Sequence, residues 1–385
     1  MRTIIKNGFV IHGSEIRQAD VLLENDRILA VDGEGNGADI IDDAAGAFVA
    51  PGFIDIHVHG GGGHDFMEAT IEAFAAITQH HLAHGATSQC PSAVSAPLPD
   101  LVRFLSAYHD AMASGRITAR LVGAHLEGPY LSKQKAGAHD SRFLKNPEPS
   151  EYENLISNYP IIRRVTAAPE LPGALALGDY LVSRGVNASI GHSDAYGEEV
   201  TAAASHGFTS VTHLYNAMSS VGEHNGKKAA GVAEMALLDD RLFVELIADL
   251  HHVPAALIRL AYRNKGKEKL ILVSDCLSPA GREDGRYRLG SAAHGIDVDV
   301  CGAAYVAGTK KLAGSIVSVD TLLQNALSIG IPLVDAVWML TRTPARLLGI
   351  DDRLGALDPG KAADIVVFDA SGHIQKVYCQ GIRVK

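Results

Sequence analysis

Two histidines, His57 and His59, stand one residue apart at the end of the apolar run FIDIHVHGGGG. Side chains on a β-strand alternate between its two faces, so both imidazoles point to the same side. Imidazole nitrogens suit zinc and related divalent ions. A strand-end histidine also serves as an ordinary hydrogen-bonding residue. The glycines that follow either let the backbone pass close to a ligand or form a flexible turn.

Later apolar runs also end in polar residues. These residues are Glu127 in RLVGAHLEG, His192 in NASIGHSDA, His213 and Asn216 in SVTHLYNAM, Asp249 and His252 in FVELIADLHHV, and Asp275 in LILVSDCLSP. Together with the first histidine pair they provide enough donors for one metal ion or two. A bound ion would lower the pKa of its water from 15.7 to about 7, which favours hydrolysis.

Two further residues have chemistry that a hydrolase needs. Asp275 ends the run LILVSD, where an unpaired carboxylate is expensive. It either caps the next turn, at 277–279, or moves protons as general base and then general acid. His139, in KAGAHD, either polarises a carbonyl oxygen above the site or is a surface loop histidine.

The polar residues need a scaffold that brings chain-distant strand ends together. Short apolar runs rich in β-branched residues alternate with helical patterns such as EAFAAITQHHLAHG, which is typical of βαβ units. Eight runs of this kind predict a (β/α)8 TIM-like barrel, whose catalytic face lies at the carboxyl ends of the strands. An open doubly wound sheet is the alternative, but no Gly-x-Gly-x-x-Gly segment opens a helix after a strand. The runs are FIDIHVHG, ATSQCPSAV, RLVGAHLEG, RRVTAAPE, NASIGHSDA, SVTHLYNAM, FVELIADLHHV and LILVSDCLSP.

Both ends of the chain have a different texture. Residues 1–50 and 355–385 read as short alternating strands separated by Gly and Asn-Asp turns. We therefore expect a small β-sandwich domain formed by both termini and a barrel over residues 51–354. A hairpin is expected near GRYRLG and GIDVDVCG, and helices over SVDTLLQNALSIG and PLVDAVWMLTRTPARLLG.

Composition excludes several classes of protein. The net charge is -10 and no basic cluster is present, which argues against a nucleic-acid or anionic-membrane partner. No apolar stretch reaches the roughly 18 residues of a membrane span, and the start lacks a signal-peptide core. The cysteines are scattered without a Cys-x-x-Cys pair, which predicts reduced thiols. We expect a soluble cytoplasmic protein.

These residues resemble a known group of enzymes. The His-x-His pair, Asp275 and the tail PARLLGIDDRLGALDPGKAADIVVFD are similar to the amidohydrolase superfamily, whose members hydrolyse amide or related bonds on a metal-bearing barrel. Five further blocks resemble the N-acetylglucosamine-6-phosphate deacetylases within that superfamily. The blocks are HLEGPY, KAGAH, IGHSDA, THLYNAM and VSDCLSPAG.

The resemblance assigns roles to individual residues. It implies that Glu127, His192 and His213 hold a divalent metal, zinc or another first-row ion such as iron, and that His57 and His59 complete a second position. The strand-four run RRVTAAPE has no lysine to bridge two ions, which favours this group over other two-metal amidohydrolases. Some members of the group lack the second position, so one or two ions stay open. Asp275 would carry the proton and His139 would polarise the acetyl carbonyl. Asn216, His252 and the backbone around Ala217 would contact the sugar and its phosphate.

One segment departs from the family pattern. Members usually show His-Arg-x-Pro-Gly after THLYNAM, with an arginine directed at substrate in the neighbouring subunit of a homodimer; here the segment reads SSVGEHNGKKAAG. His224, Lys227 or Lys228 would replace that arginine, or the segment is a solvated loop. A lysine lacks the bidentate fork of arginine, so phosphate recognition is in question.

The resemblance predicts deacetylation of N-acetyl-D-glucosamine 6-phosphate to glucosamine 6-phosphate and acetate. The alternatives are the galacto epimer, an unphosphorylated amino sugar or another amide substrate. A barrel that only binds or scaffolds is a further alternative, because a fold does not specify a function.

Overall fold

The structure is a computed structural model that describes residues 1–32 and 37–385. Residues 33–36, inside the predicted terminal segment 1–50, lie outside the described residues. Its strands, in chain order, are β1 (Arg2–His12), β2 (Glu15–Glu24), β3 (Arg27–Val31), β4 (Ile40–Asp43), β5 (Phe48–Pro51), β6 (Phe53–Val58), β7 (Gly60–Gly61), β8 (His64–Asp65), β9 (Ala86–Ala93), β10 (Arg120–Leu121), β11 (Ala124–Glu127), β12 (Ile162–Ala167), β13 (Asn187–Ile190), β14 (Phe208–Val211), β15 (Gly222–His224), β16 (Lys227–Ala229), β17 (Phe243–Leu246), β18 (Leu270–Leu272), β19 (Gly285–Leu289), β20 (Ile296–Val300), β21 (Ala304–Val306), β22 (Leu312–Gly314), β23 (Ile365–Phe368), β24 (Ile374–Cys379) and β25 (Ile382–Arg383).

Helices follow most of the barrel strands. They are α1 (Ile71–Ala83), α2 (Leu98–Ala113), α3 (Pro149–Asn158), α4 (Ala174–Ser183), α5 (Gly197–Ser205), α6 (Val232–Leu238), α7 (Ala255–Lys269), α8 (Val319–Ser328), α9 (Leu333–Leu340) and α10 (Arg342–Leu347). No helix of the described chain is both long and apolar enough to cross a membrane.

The central sheet is an eight-stranded parallel barrel. Its strands pair in the order β6, β9, β11, β12, β13, β14, β17 and β18. Backbone bonds close the ring between β18 and β6, because Asp275 N–H donates to His57 O and His59 N–H donates to Cys276 O, each at 2.9 Å. Each of the eight predicted runs contains one barrel strand, so the predicted barrel is confirmed.

The helices pack on the barrel through apolar faces. In α1, Thr70 caps the first turn by accepting the Ala73 N–H at 3.1 Å, a common helix start. Phe74, Ile77 and Leu82 of the same helix are fully buried, at the spacing expected of one helix face. Burying side chains of this size stabilises the fold by about 1.5–3 kcal/mol each.

The interior of the barrel below the catalytic face is polar instead of apolar. His125, Arg164, Thr166, Ser189 and Glu245 are all fully buried there. Buried polar groups cost free energy unless they are hydrogen-bonded. His125 is 2.8 Å from the Thr166 hydroxyl and Arg164 donates to several interior hydroxyls. This network forms the floor of the site.

A second sheet joins the two ends of the chain. Its order is β25, β24, β23, β5, β1, β2 and β3, with β4 beside β1. The junction is the antiparallel pair β5 and β23, in which Val49 faces Val367. The expected β-rich domain built from both termini is therefore confirmed.

The predicted hairpin after the eighth strand belongs to a four-stranded antiparallel sheet, β19 to β22. The glycine run after His59 forms the small hairpin of β7 and β8. A Cβ on Gly60 would lie 2.4 Å from the His64 carbonyl oxygen, and one on Gly61 would lie 2.7 Å from His81 Nε2. The glycines thus permit close packing of the backbone, and they do not line the catalytic cavity.

Candidate active site

The Glu127 carboxylate, at the end of β11, lies at the centre of the site. Its Oε1 is 2.9 Å from His213 Nε2 and 3.2 Å from His192 Nε2. Its Oε2 is 3.1 Å from His59 Nε2 and 3.4 Å from His57 Nε2. The structure therefore brings the five predicted metal ligands together from four barrel strands, with one histidine pair on each carboxylate oxygen.

Three of these histidines have an acceptor opposite their Nδ1 atom. A neutral imidazole that donates its Nδ1 proton presents a lone pair at Nε2, which is the arrangement that metal-binding histidines adopt. The contacts are His57 Nδ1 to Glu245 Oε2 at 3.2 Å, His59 Nδ1 to Ser92 O at 3.2 Å, and His192 Nδ1 to Lys135 O at 2.9 Å.

The converging lone pairs fit a cation. The Nε2 atoms of His57 and His59 are 3.1 Å apart, as are those of His192 and His213. Ligand atoms bound at about 2.0–2.1 Å around a tetrahedral ion are separated by roughly 3.3 Å. Burial opposes protonation of His59, yet the carboxylates of Asp275 and Glu127 raise its pKa to about 9. The cluster therefore favours positive charge at its centre.

His139 carries its proton on the other ring nitrogen. Ser95 N–H donates to its Nδ1 at 3.1 Å, so the proton of the neutral ring lies on Nε2. That Nε2 is 3.4 Å from Glu127 Oε2 and lines the cavity. His139 is geometrically close enough to join a metal group with Glu127 and His192. Its fixed tautomer makes it a hydrogen-bond donor to a ligand instead.

Asp275 faces the first histidine pair. Its Oδ1 is 3.2 Å from His59 Nε2 and 3.5 Å from His57 Nε2, so the side chain points into the site and not at the following turn. Burial opposes ionisation of this carboxyl, but the positive charge of His57 and His59 outweighs it and lowers the pKa of Asp275. A bound cation would supply the same positive charge. Asp275 is therefore a carboxylate that can accept a proton.

A cavity of about 440 Å³ opens over these residues. Asn216, Ala217 and His252, predicted to contact substrate, all line it. His252 is held by a 2.7 Å contact of its Nδ1 with Asp249 Oδ2. Burial opposes ionisation of Asp249, but this hydrogen bond lowers its pKa. The neighbouring His251 is exposed, so the structure places the second histidine of the pair at the cavity.

His224 and Lys227 do not line the cavity of their own chain. They lie on the exposed hairpin of β15 and β16. The His224 ring stacks on Tyr196 with centroids 4.7 Å apart. Neither of these two predicted substrate contacts therefore belongs to the cavity within one chain.

Several site residues have left-handed backbone conformations. The φ angles are 48° at His192, 31° at His213, 47° at Ala217 and 47° at Asp275. Residues other than glycine rarely adopt this region, and such strain is concentrated at functional sites. The barrel rim thus aims these side chains at a cost in backbone energy.

Sequence reasoning missed the residues that support the ligands. Glu245 accepts from His57 and pairs with Nη1 of Arg164 inside the barrel. Glu245 interrupts the otherwise apolar strand FVEL, and Arg164 is a charged residue within the largely buried strand IRRVTA. That interruption was the available signal, since buried charges are usually paired. Lys135 and Lys311 also line the cavity and were not predicted.

A model of one protein family covers most of the sequence. Residues 48–384 match the family described as the amidohydrolase family. The chain belongs to the amidohydrolase family. The barrel with a β-rich terminal domain and the cluster of candidate metal ligands agree with that membership.

The amidohydrolase is similar to characterised relatives over nearly its whole length. It is 35% identical, over 86% of each chain, to an N-acetylgalactosamine-6-phosphate deacetylase of Escherichia coli O157:H7. It is also 35% identical to the human N-acetylglucosamine-6-phosphate deacetylase, over 97% of this chain and 93% of that protein. A solved structure of N-acetyl-D-glucosamine-6-phosphate deacetylase from Mycobacterium smegmatis, an Asp-to-Ala variant in complex with N-acetyl-D-glucosamine-6-phosphate, superposes with a TM-score of 0.90 at 35% identity. That comparison covers 100% of this chain and 99% of the other.

Proposed function

We propose that this amidohydrolase hydrolyses the acetamide of N-acetyl-D-glucosamine 6-phosphate to glucosamine 6-phosphate and acetate. The observation that carries the proposal is the meeting, in one cavity, of a metal-binding cluster around Glu127, a carboxylate base and a histidine with its proton on Nε2. The names of the relatives with similar sequence over nearly the whole chain give the substrate class.

Glu127, His192 and His213 would hold a first divalent ion. His57 and His59, on the other oxygen of Glu127, would hold a second, so that one or two ions bind each chain. Imidazole nitrogen with carboxylate oxygen suits zinc, and iron or another first-row ion competes according to its availability. A divalent ion bound by these residues supplies Lewis acidity, which lowers the pKa of water and polarises the amide.

Asp275 moves the proton during the reaction. As a carboxylate it accepts a proton from the attacking water while the new C–O bond forms at the acetyl carbon. It then delivers that proton to the amide nitrogen as the C–N bond breaks, so the amine leaves as a neutral group. Its position beside His57 and His59 puts the base next to the predicted ligands.

His139 stabilises the charge that develops on the carbonyl oxygen. The Ser95 N–H fixes its Nδ1 as an acceptor, so Nε2–H is available to the acetyl oxygen. This hydrogen bond strengthens as the carbonyl carbon becomes tetrahedral. A preorganised donor of this kind therefore lowers the activation barrier of hydrolysis more than it strengthens substrate binding.

The sugar and phosphate would lie toward the other cavity wall. Asn216, His252 and the Ala217 backbone N–H contact the substrate in this proposal, and all three residues line the cavity. Lys311 lines the same cavity and adds a positive charge to it. His224 and Lys227 would approach the phosphate from the partner subunit of a homodimer, which accounts for their position outside their own cavity.

The cysteines support a cytoplasmic location. Cys90, Cys276, Cys301 and Cys379 are all unpaired, and unpaired thiols are typical of a reducing environment. We propose a cytoplasmic enzyme with a small-molecule amino sugar phosphate as its partner.

A steady-state assay tests the proposal. Acetate release from purified protein is measured with N-acetylglucosamine 6-phosphate, its galacto epimer and unphosphorylated N-acetylglucosamine, and metal is quantified in the same preparation. The highest kcat/KM is expected for the gluco phosphate, with stoichiometric metal. A preference for the galacto epimer, the substrate named for one relative, would change the assigned sugar. A lack of acetate release from metal-loaded protein would overturn the deacetylase proposal.

Assembly has its own test. In a homodimer that shares phosphate contacts, dilution to monomer should raise the KM for the phosphorylated substrate. An unchanged KM on dilution would argue for sites that are complete within one chain.

A further inference from the structure

A second cavity lies at the end of the barrel opposite the catalytic face. Its volume is about 590 Å³, which is larger than the catalytic cavity. Its wall includes the start of β10 and the start of β12, whereas the catalytic residues follow the carboxyl ends of the strands. The terminal β-domain, the barrel and the segment after α10 all contribute residues. We call it the interdomain cavity.

Four arginines line the interdomain cavity. They come from all three parts of the wall and are Arg27, Arg120, Arg163 and Arg353. None of the described residues that line it is acidic. The chain as a whole has a net charge of -10. The four guanidinium groups therefore give this concave surface a local charge opposite in sign to that of the chain. A cleft lined by charges of one sign focuses its field and attracts the opposite ion.

Part of this positive charge is free to bind an anion, although Arg27 donates to the Gly360 carbonyl oxygen at 3.1 Å and lies 3.7 Å from Asp26 Oδ2. Arg163 has no ion pair and no side-chain hydrogen bond with any residue in the ranges 1–32 and 37–385. Arg353 meets only the exposed Asp352, at 3.6 Å, and exposed pairs of this kind contribute little. Arg120 is paired through Nε with Asp364 at 2.6 Å. Its Nη2, however, is buried without a hydrogen-bond partner among the described residues.

Local packing holds Arg163 at the cavity. A Cβ on Gly123 would lie 2.1 Å from the Arg163 Cγ atom, so the side-chain stem lies directly across this glycine. Gly123 N–H in turn donates to the Tyr108 hydroxyl at 3.1 Å. A larger residue at position 123 would displace the arginine. The guanidinium group is thus placed by the fold and not by an acidic partner.

Most of the other residues of the wall are apolar, apart from Tyr108 and Gln380. They include Ile117, Val122, Ile161, Ile350 and Leu354. An inorganic anion would leave this surface exposed, whereas a ligand with an apolar ring would cover it at about 25 cal/mol per Å². Guanidinium groups bind phosphate oxygens in a bidentate manner. The cavity therefore offers both kinds of contact, ionic and apolar, that a phosphorylated ring compound can make.

We propose that the interdomain cavity binds an organic phosphate with an apolar ring system, the chemistry that a nucleoside diphosphate presents. Such a ligand contacts the terminal domain through Arg27 and the barrel through Arg120 and Arg163. It binds the folded protein and not the unfolded chain, so it raises the midpoint of thermal unfolding.

The test uses adenosine 5′-diphosphate, with adenosine and inorganic phosphate as separate probes. Binding to the full chain is measured by calorimetry at low salt, together with the thermal unfolding midpoint. The double variant Arg163→Gln, Arg353→Gln keeps the Arg120–Asp364 pair that joins the domains. It should weaken adenosine 5′-diphosphate binding at least about tenfold and remove the shift in Tm. The double Lys variant at the same positions keeps both charges and should retain part of the affinity.

Two single variants are matched controls. Arg286→Gln removes an exposed arginine, paired with Asp299, from the four-stranded sheet. Lys311→Gln removes a cation from the catalytic cavity. Both should bind adenosine 5′-diphosphate as the parent does. Parent-like binding by the double Gln variant, loss of binding only in Lys311→Gln, or equal affinity for inorganic phosphate would each overturn the proposal.

Discussion

Replacing Glu245 with glutamine tests a residue that orients a predicted metal ligand, His57, without being a ligand itself. Glu245 is fully buried, with Oε2 at 3.2 Å from His57 Nδ1 and Oε1 paired with Arg164. Burial opposes its ionisation, but Arg164 and the hydrogen bond from His57 lower the pKa of this carboxyl. Glutamine has the same shape but only one acceptor oxygen.

Neither orientation of that glutamine satisfies both neighbours. With its oxygen toward His57, its NH2 group meets the donors of Arg164 and leaves a buried guanidinium without a counter-ion. With its oxygen toward Arg164, its NH2 group requires the lone pair of His57 Nδ1, which moves the imidazole proton to Nε2. The first outcome destabilises the fold by about 3–5 kcal/mol. The second lowers metal affinity by roughly 10- to 100-fold, as removal of a ligand's supporting acceptor does.

The assay measures metal affinity by chelator competition and stability by urea unfolding of the same preparations. Asp364→Asn is a matched control, because Asp364 is also a buried carboxylate paired with an arginine, Arg120, but lies away from the metal residues. It should lose stability and keep metal affinity. Adding Arg164→Met to Glu245→Gln removes the donor that competes for the glutamine oxygen, so it should recover part of both the stability and the metal affinity. A Glu245→Gln protein with both the parent's metal affinity and the parent's stability would refute the assigned role of Glu245.

Other changes test the remaining roles. Asp275→Asn should lower kcat about a hundred- to ten-thousand-fold while metal content stays at the parent level, because it removes only the proton carrier; a parent-like kcat would remove that role. His139→Ala should lower kcat by about a hundred- to a thousand-fold with a smaller change in KM, measured in the same assay. Lys311→Gln and Lys227→Gln should each raise KM for the phosphorylated substrate and leave KM for the unphosphorylated sugar unchanged. If either variant keeps the parent's KM for the phosphorylated substrate, that lysine does not contact the phosphate. Burial and a neighbouring positive imidazole lower the pKa of His81 from 6.5 to about 3. Below about pH 6.5 the unfolded chain therefore binds a proton that the folded chain does not, and the free energy of unfolding falls by roughly 1.4 kcal/mol per pH unit. His81→Gln should reduce this dependence on pH, measured as the urea midpoint at several pH values.

The barrel was predictable because its signal is local. Each strand is a short apolar run whose polar residue falls at the carboxyl end, and eight such runs with helices between them leave few topologies. The closure of the ring could not be read from the same pattern. It depends on residues after β18, where Asp275 N–H reaches His57 O, and long-range backbone pairing leaves no trace in local periodicity.

The supporting charges were not predictable for a related reason. Glu245 and Arg164 lie on different strands, far apart in the sequence, and neither strand alone shows what would pair with its charge. Only their pairing inside the barrel explains why both are tolerated. The glycine run after His59 could not be assigned from the sequence, because glycine suits both a close approach to a ligand and a flexible turn. The structure assigns it to close backbone packing against His64 and His81.

The assignment of histidines to roles depends on a feature that residue types cannot supply. His59 and His139 carry the same side chain and both approach Glu127 Oε2, at 3.1 and 3.4 Å. They differ at the far nitrogen, because the Ser92 carbonyl oxygen accepts from His59 while the Ser95 N–H donates to His139. The first contact leaves a lone pair for a metal and the second leaves a proton for a carbonyl oxygen. The Ser92 carbonyl and the Ser95 N–H lie three residues apart, at and just after the end of β9. These two backbone groups thus determine that His59 acts as a metal ligand and His139 as a hydrogen-bond donor.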